Sequence, residues 1–211
     1  MRFAAAGIDD GVDRIVRMLP AWSASGGSVL VISLDGPGAS GKTTYAAALA
    51  PLLGAAVVHT DDFFEPSSRR RIANLLPSER LASYYDWRRM RAEALVPLQA
   101  GRDATFSRYD WELDALSGPD MTVEARPVVL LEGVFSSSPQ LGDLTDRSVL
   151  VDTPEHERLR RLRARISAED WDDEWLFAEQ AYFTRIRPSS CFDLVVSGSG
   201  SIPADPPRTS V

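Results

Sequence analysis

Hydrophobic positions along this chain alternate between two kinds of run. Residues 29–34 (Val-Leu-Val-Ile-Ser-Leu) are apolar and β-branched, which predicts a buried strand. Residues 45–50 then read as a helix that runs to about Leu53 and stops at Gly54. The pattern repeats. Residues 55–60, 127–133, 148–152 and 192–196 read as further strands. A helix with Met90, Leu95 and Leu98 inward is expected over 87–100, ended by Gly101. From Pro154 the chain turns helical again, and another helix is expected over 175–186. Ahead of the first strand, Ile8, Val12, Ile15, Val16 and Leu19 predict an amphipathic helix ended by Pro20, then a small-residue linker over 23–28. Residues 104–111 and 121–125 alternate, which predicts an antiparallel hairpin with 112–120, holding Gly118 and Pro119, as its linker. Residues 65–85 show no clear period, and 197–211 are rich in Ser, Gly and Pro without core residues, so a flexible tail is expected. The expected division is an N-terminal helix and linker over 1–25, a main domain over 26–198, and a tail over 199–211.

Between the first strand and the helix after it lies Gly36-Pro37-Gly38-Ala39-Ser40-Gly41-Lys42-Thr43-Thr44, which fits G-x-x-x-x-G-K-[ST]. Strand, glycine-rich turn and helix are the context this pattern needs. The glycines let backbone N–H groups approach phosphate oxygens, and the helix N-terminus adds donors and the positive end of its dipole. Gly36, Gly38, Ala39, Ser40, Gly41, Lys42, Thr43 and Thr44 are therefore the candidate phosphate-binding residues for ATP. Lys42 can reach the β- and γ-phosphates, and the Thr43 hydroxyl can ligate Mg²⁺. The plainer reading is a glycine turn that happens to precede a lysine.

The length of 211 residues suits one α/β domain with a full core. The net charge of −7 argues against nucleic acid as the main partner, so an anionic ligand needs a local basic site. One cysteine, Cys191, allows no internal disulfide, which suits a cytoplasmic location. The N-terminal 25 residues hold Asp9, Asp10 and Asp13 and no long apolar run, so no signal peptide is expected; nor is a membrane partner, since the longest apolar stretch, 46–58, is too short to span.

Other candidates follow the strands. Asp61 and Asp62 come directly after the second strand, where ligands of parallel sheets bind, although Asp is also common in plain turns. His59, within that strand, reads as a packed core histidine. Glu132 ends a buried strand and suits Mg²⁺ or its bound water, or else caps a following helix. Asp86 is a good N-cap. The run Arg69, Arg70 and Arg71 reads as a solvated loop or a phosphate contact. Arg158, Arg160, Arg161, Arg163 and Arg165 make a basic helix in an acidic protein, with Arg161 and Arg165 on one face.

With these motifs in order, the chain resembles the uridine kinase-like family of P-loop kinases from about Val29 to Gly198. The likeness rests on the phosphate loop; Asp61-Asp62-Phe63-Phe64, like the family's D-x-F-Y; Tyr85-Asp86, like F-D; Arg108-Tyr109-Asp110-Trp111, like P-x-Y-D-F; Leu131-Glu132-Gly133, like F-E-G; Val151-Asp152-Thr153 before the arginines; and Asp193-Leu194-Val195-Val196, like D-x-I-I. The resemblance implies an α/β P-loop kinase fold: a five-stranded parallel sheet with helices on both faces, a small antiparallel substrate hairpin and a helical lid. It implies Asp61 as catalytic base, Tyr85, Asp86 and Tyr109 at the substrate, Lys42 with lid arginines Arg161 and Arg165 stabilising the transferring phosphoryl group, and Thr43 and Glu132 around the metal. Two departures lie where the family reads its pyrimidine, Asp114 in place of a His and Ala181 in place of a Gln before Tyr182; the lid segment 167–175 departs as well, being rich in Trp and acid.

The reading is an ATP- and Mg²⁺-dependent kinase acting on a hydroxyl of a small, nucleoside-like metabolite, and compatible with a homo-oligomer. Its rivals are a kinase for a sugar, vitamin or antibiotic on the same scaffold, and a nucleotide-binding regulator without a small acceptor.

Overall fold

The structure is a computed structural model that describes residues 7–23, 29–66, 75, 83–165 and 173–199. Five strands, β1 (Leu30–Asp35), β2 (Ala56–His59), β5 (Val128–Glu132), β6 (Arg147–Asp152) and β7 (Leu194–Ser197), form one sheet in the order β2-β5-β1-β6-β7. Every pairing in it is parallel. The remaining strands, β3 (Ala104–Asp110) and β4 (Ala115–Val123), pair antiparallel as a separate hairpin. This is the P-loop kinase fold, with the parallel sheet and hairpin expected.

Helices cover both faces, and the strand alternation decides which residue meets which layer. On β1 and β5, Leu30, Ile32, Leu34, Val128 and Leu130 turn to one face. There they meet Val12, Ile15 and Trp22 of α1 (Ile8–Ser23) and Tyr45, Ala46 and Leu49 of α2 (Lys42–Leu53). Val31, Val129 and Leu131 turn the other way. They meet the helix α3, which runs through Trp87–Arg89, a wide turn Met90–Leu95 and Val96–Gln99, together with the hairpin. α4 (Glu155–Arg165) follows β6, and α5 (Asp173–Ala181) continues into a wide turn, Tyr182–Ile186, that packs Tyr182 on this second face.

Three expectations change. α1 does not end at Pro20 but continues to Ser23. Proline forfeits one hydrogen bond, and burying Trp22 two residues later offsets that. The hairpin's loop is not 112–120, because β4 begins at Ala115. Gly118 and Pro119 sit inside β4, where the register shifts opposite Phe106 and Arg108, so the two residues are taken up as a bulge. The second strand stops at His59, and Asp61 and Asp62 lie in a 3₁₀ turn, Thr60–Phe63. The arginine run 69–71, residues 167–172 of the expected lid, and the tail beyond Ser199 lie outside the described residues. Among the described residues no helix is long and apolar enough to cross a membrane.

Candidate active site

β1 lies at the centre of the sheet with all six residues buried, so its carboxyl end delivers the glycine-rich loop to the middle of the sheet's edge. Gly36 opens the loop at φ 150°, and a Cβ there would stand 2.5 Å from the Val151 carbonyl oxygen, so no other residue fits. Ala39 takes a left-handed φ of 61°. Gly41 precedes α2, whose first residues are Lys42, Thr43 and Thr44. Lys42 is buried, and its Nζ donates to the Pro37 carbonyl at 3.0 Å, which folds the side chain back over its own loop.

Sheet register brings the metal candidates together. His59 of β2 and Glu132 of β5 are directly paired, and α2 sets Thr43 beside them. Thr43 Oγ1 donates to Glu132 Oε1 at 3.2 Å, and His59 Nδ1 lies 2.7 Å from Glu132 Oε2. Burial disfavours the Glu132 charge, but His59, Lys42 and Thr43 together hold its carboxyl below the usual range. Burial also opposes a charged His59, yet Glu132, with Asp62 and Asp61 adding, holds it above its ordinary value. His59 is thus not a packed core histidine; its side chain is 33% exposed and belongs to the site. The donors fit Mg²⁺, a hard cation that takes one or two protein oxygens and keeps water and phosphate as its other ligands. Among the described residues no group of three or more His, Cys, Asp or Glu could hold a metal by itself.

Behind β2 the two aspartates part. Asp62 is buried, and its Oδ1 accepts from Arg108 Nε of the hairpin at 2.9 Å. Asp61 is partly exposed, and Tyr85 donates to it from 3.4 Å. The 3₁₀ turn that carries both aspartates packs closely on the residue after Glu132: a Cβ on Gly133 would lie 1.7 Å from Thr60 Oγ1. Asp86 caps α3 by accepting from the Arg89 N–H at 2.9 Å. It also lines a cleft of about 730 Å³ with Glu65, Tyr85 and Trp87. Tyr109 sits in the aromatic wall, 5.2 Å from Phe64 and 5.0 Å from Trp111 between ring centroids, and its hydroxyl donates to Asp114 at 2.7 Å. Asp114, which stands where the resemblance expects a His, therefore engages Tyr109.

Of the two arginines singled out, Arg161 is buried behind the loop. It donates to the carbonyls of Gly198 at 3.0 Å and Ala39 at 3.3 Å and pairs with Glu157. Arg165 is exposed at the last residue of α4. Arg158, one turn before Arg161, also reaches the loop, through the Gly38 carbonyl at 3.4 Å.

Sequence reading passed over the residues that brace the loop. Asp35, the last residue of β1, is fully buried. It accepts from the N–H groups of Gly36, Phe135 and Ser137 at 2.8–2.9 Å and from the Tyr182 hydroxyl at 2.9 Å. Burial pushes this carboxyl up, while the Ser137 and Gly36 N–H groups, Lys42 and Tyr182 pull it down. One carboxylate thereby ties the glycine-rich loop, the segment after β5 and the wide turn after α5. Glu179 of α5 does similar work at Gly38. An acid directly before the glycine pattern was the one available signal for Asp35; Glu179 sits in an ordinary helical register and gave none.

No protein-family model matches the chain. Among solved structures, it is similar to a candidate uridine kinase from Bacillus stearothermophilus, at 24% identity over 89% of this chain and 98% of the other, with a TM-score of 0.69. It is also similar to a candidate fructose transport system kinase from Silicibacter, at 18% identity over 88% and 98% of the two chains and a TM-score of 0.61. A candidate P-loop kinase with a circular permutation from Saccharomyces cerevisiae matches at 11% identity over 90% and 98%, with a TM-score of 0.55. At these identities the likeness is one of fold.

Proposed function

We propose that this protein is a kinase that transfers the γ-phosphoryl group of ATP to a hydroxyl of a small, nucleoside-like metabolite. The observation that carries the reading is the convergence, at one edge of the sheet, of the Lys42–Thr43 loop, the Glu132 carboxylate and the partly exposed Asp61. A nucleotide-binding regulator has no need of the third group or of an aromatic wall beside it. The folds of the candidate uridine and fructose-system kinases support the general class.

In this reading the loop N–H groups and Lys42 hold the phosphates. Thr43 and Glu132 hold Mg²⁺ directly or through water, and bound Mg²⁺ neutralises charge on the phosphate oxygens. Asp61 orients the acceptor hydroxyl and takes its proton during in-line attack. Tyr85, Asp86 and Tyr109 line the acceptor side. Arg165 and Arg161 of α4 steady charge on the transferring group; Arg161 must exchange a backbone carbonyl for phosphate to do so. The catalytic unit is residues 26–198. Because Asp114 engages Tyr109 in place of the family's His, a sugar, vitamin or antibiotic acceptor is the second reading.

The test is a screen of nucleosides, sugars and vitamins for acceptor-dependent ADP release, with Lys42→Ala as control. Turnover that needs one acceptor and is lost in a folded Lys42→Ala protein is expected. Nucleotide binding without acceptor-stimulated turnover across the screen would support a regulator instead.

A further inference from the structure

Two side chains of α5, one helical turn apart, join the nucleotide and acceptor halves of the site. Glu179 is 1% exposed. Its Oε1 accepts from the Gly38 N–H of the phosphate loop at 2.8 Å and from Trp175 Nε1 at 2.7 Å, and its Oε2 pairs with Arg158 at 3.1 Å. Trp175 in turn packs on the aromatic wall, with ring centroids 4.7 Å from Tyr84, 5.4 Å from Phe135, 6.2 Å from Phe64 and 6.4 Å from Tyr85, the residue that donates to Asp61.

A carboxylate here is an anion held against a loop whose sequence is built to receive anions. All three of its partners donate to it, as a carboxylate requires, and burial raises the carboxyl above its ordinary range against the opposing pull of Arg158, the Gly38 N–H and Lys42. The cations at the loop are likewise satisfied from within the protein, Lys42 by the Pro37 carbonyl and Arg158 of α4 by Glu179. A nucleotide phosphate within reach of Lys42 would bring further negative charge to the same few ångströms, and buried like charges repel strongly. The contact with Gly38 is close: a Cβ added there would stand 3.0 Å from Glu179 Oε1.

We infer that Glu179 is a stand-in anion, which the nucleotide's phosphates displace from the Gly38 N–H, freeing Arg158 and drawing Trp175 away from the aromatic wall. The inference rests on the proposal that this loop binds nucleotide. Its consequence is an order of binding: nucleotide first, because its arrival moves the side chain that packs on the acceptor side. The competing account is a fixed structural ion pair, in which Glu179 and Arg158 stay together when nucleotide binds.

Calorimetry with a non-hydrolysable ATP analogue and Mg²⁺ separates the two. Glu179→Gln keeps the shape and an acceptor for Gly38 but removes the charge, and the analogue should bind it about tenfold more tightly than wild type. Equal or weaker binding by a variant shown to be folded by circular dichroism would overturn the inference. A second measurement needs no change at Glu179. The emission difference between wild type and Trp175→Phe should change saturably as the analogue is added, and a flat difference would overturn the inference even if Glu179→Gln fails to fold. A wild-type protein that does not bind the analogue at all would overturn the nucleotide reading itself, a separate result.

Discussion

The carboxylate of Asp62 accepts a hydrogen bond from Arg108 Nε at 2.9 Å, which anchors the hairpin to the turn after β2 and leaves the neighbouring Asp61 on the side of Tyr85. In a 3₁₀ turn, successive side chains point about 120° apart, so the two acids cannot share one role.

Asp61→Asn should lose about 10²–10⁴ in turnover while still binding ATP, because it removes a positioned proton acceptor and little else. Asp62→Asn should keep most of its turnover and lose about 1 kcal/mol of stability, because its part-buried, charge-assisted bond to Arg108 becomes a neutral one. Catalytic rate and thermal midpoint of each variant, measured with a working acceptor, decide this. An inactive Asp62→Asn beside an active Asp61→Asn would move the base by one residue.

Thr43→Val and Glu132→Gln should each raise the Mg²⁺ concentration needed for half-maximal activity, by about tenfold or more. Thr43 Oγ1 and Glu132 Oε1 are already 3.2 Å apart, so both oxygens face one spot. Unchanged Mg²⁺ titrations for the pair would remove them from the metal.

Stability should carry a histidine signature. His59 is held above its ordinary value of 6.5 in the fold, so its contribution is full below about pH 6.5 and is lost as pH rises through the raised value. Glu132 is held below 4.5, so its contribution is present above that value and is lost as pH falls through the lowered one. The pair therefore stabilises most between these limits. Thermal midpoints from pH 5 to 9 should decline at the alkaline end for wild type, and the decline should be smaller in His59→Gln. Parallel profiles would show that the pair does not couple to folding.

Arg165→Ala should lower turnover more than ATP affinity, as expected of a group acting on charge that develops during transfer. Arg161→Ala should do the same and also lower the thermal midpoint, by roughly 5 °C or more, because two carbonyls and Glu157 lose a buried partner. A stable Arg161→Ala protein with normal nucleotide affinity but a collapsed rate would return Arg161 to the lid role alone.

Much of this protein was legible in its sequence because the signals were local. A buried strand, a glycine turn and a helix in immediate succession specify the phosphate loop, since each needs only its own few residues. The short apolar runs located all five strands, because a parallel strand covered on both faces must be apolar throughout. Their order, β2-β5-β1-β6-β7, came only from the structure, for no run of residues states its neighbour. Tertiary structure alone decided the rest. His59 joined Glu132 because β2 and β5 pair in that register. Arg161 turned to the back of the loop because the Ala39 and Gly198 carbonyls lie there. Asp35 with Tyr182, and Glu179 with Gly38, are 147 and 141 residues apart in the chain. A hydrogen bond at such separation leaves no periodicity behind; it exists only because the sheet brings the first strand's end and the last helix to one place.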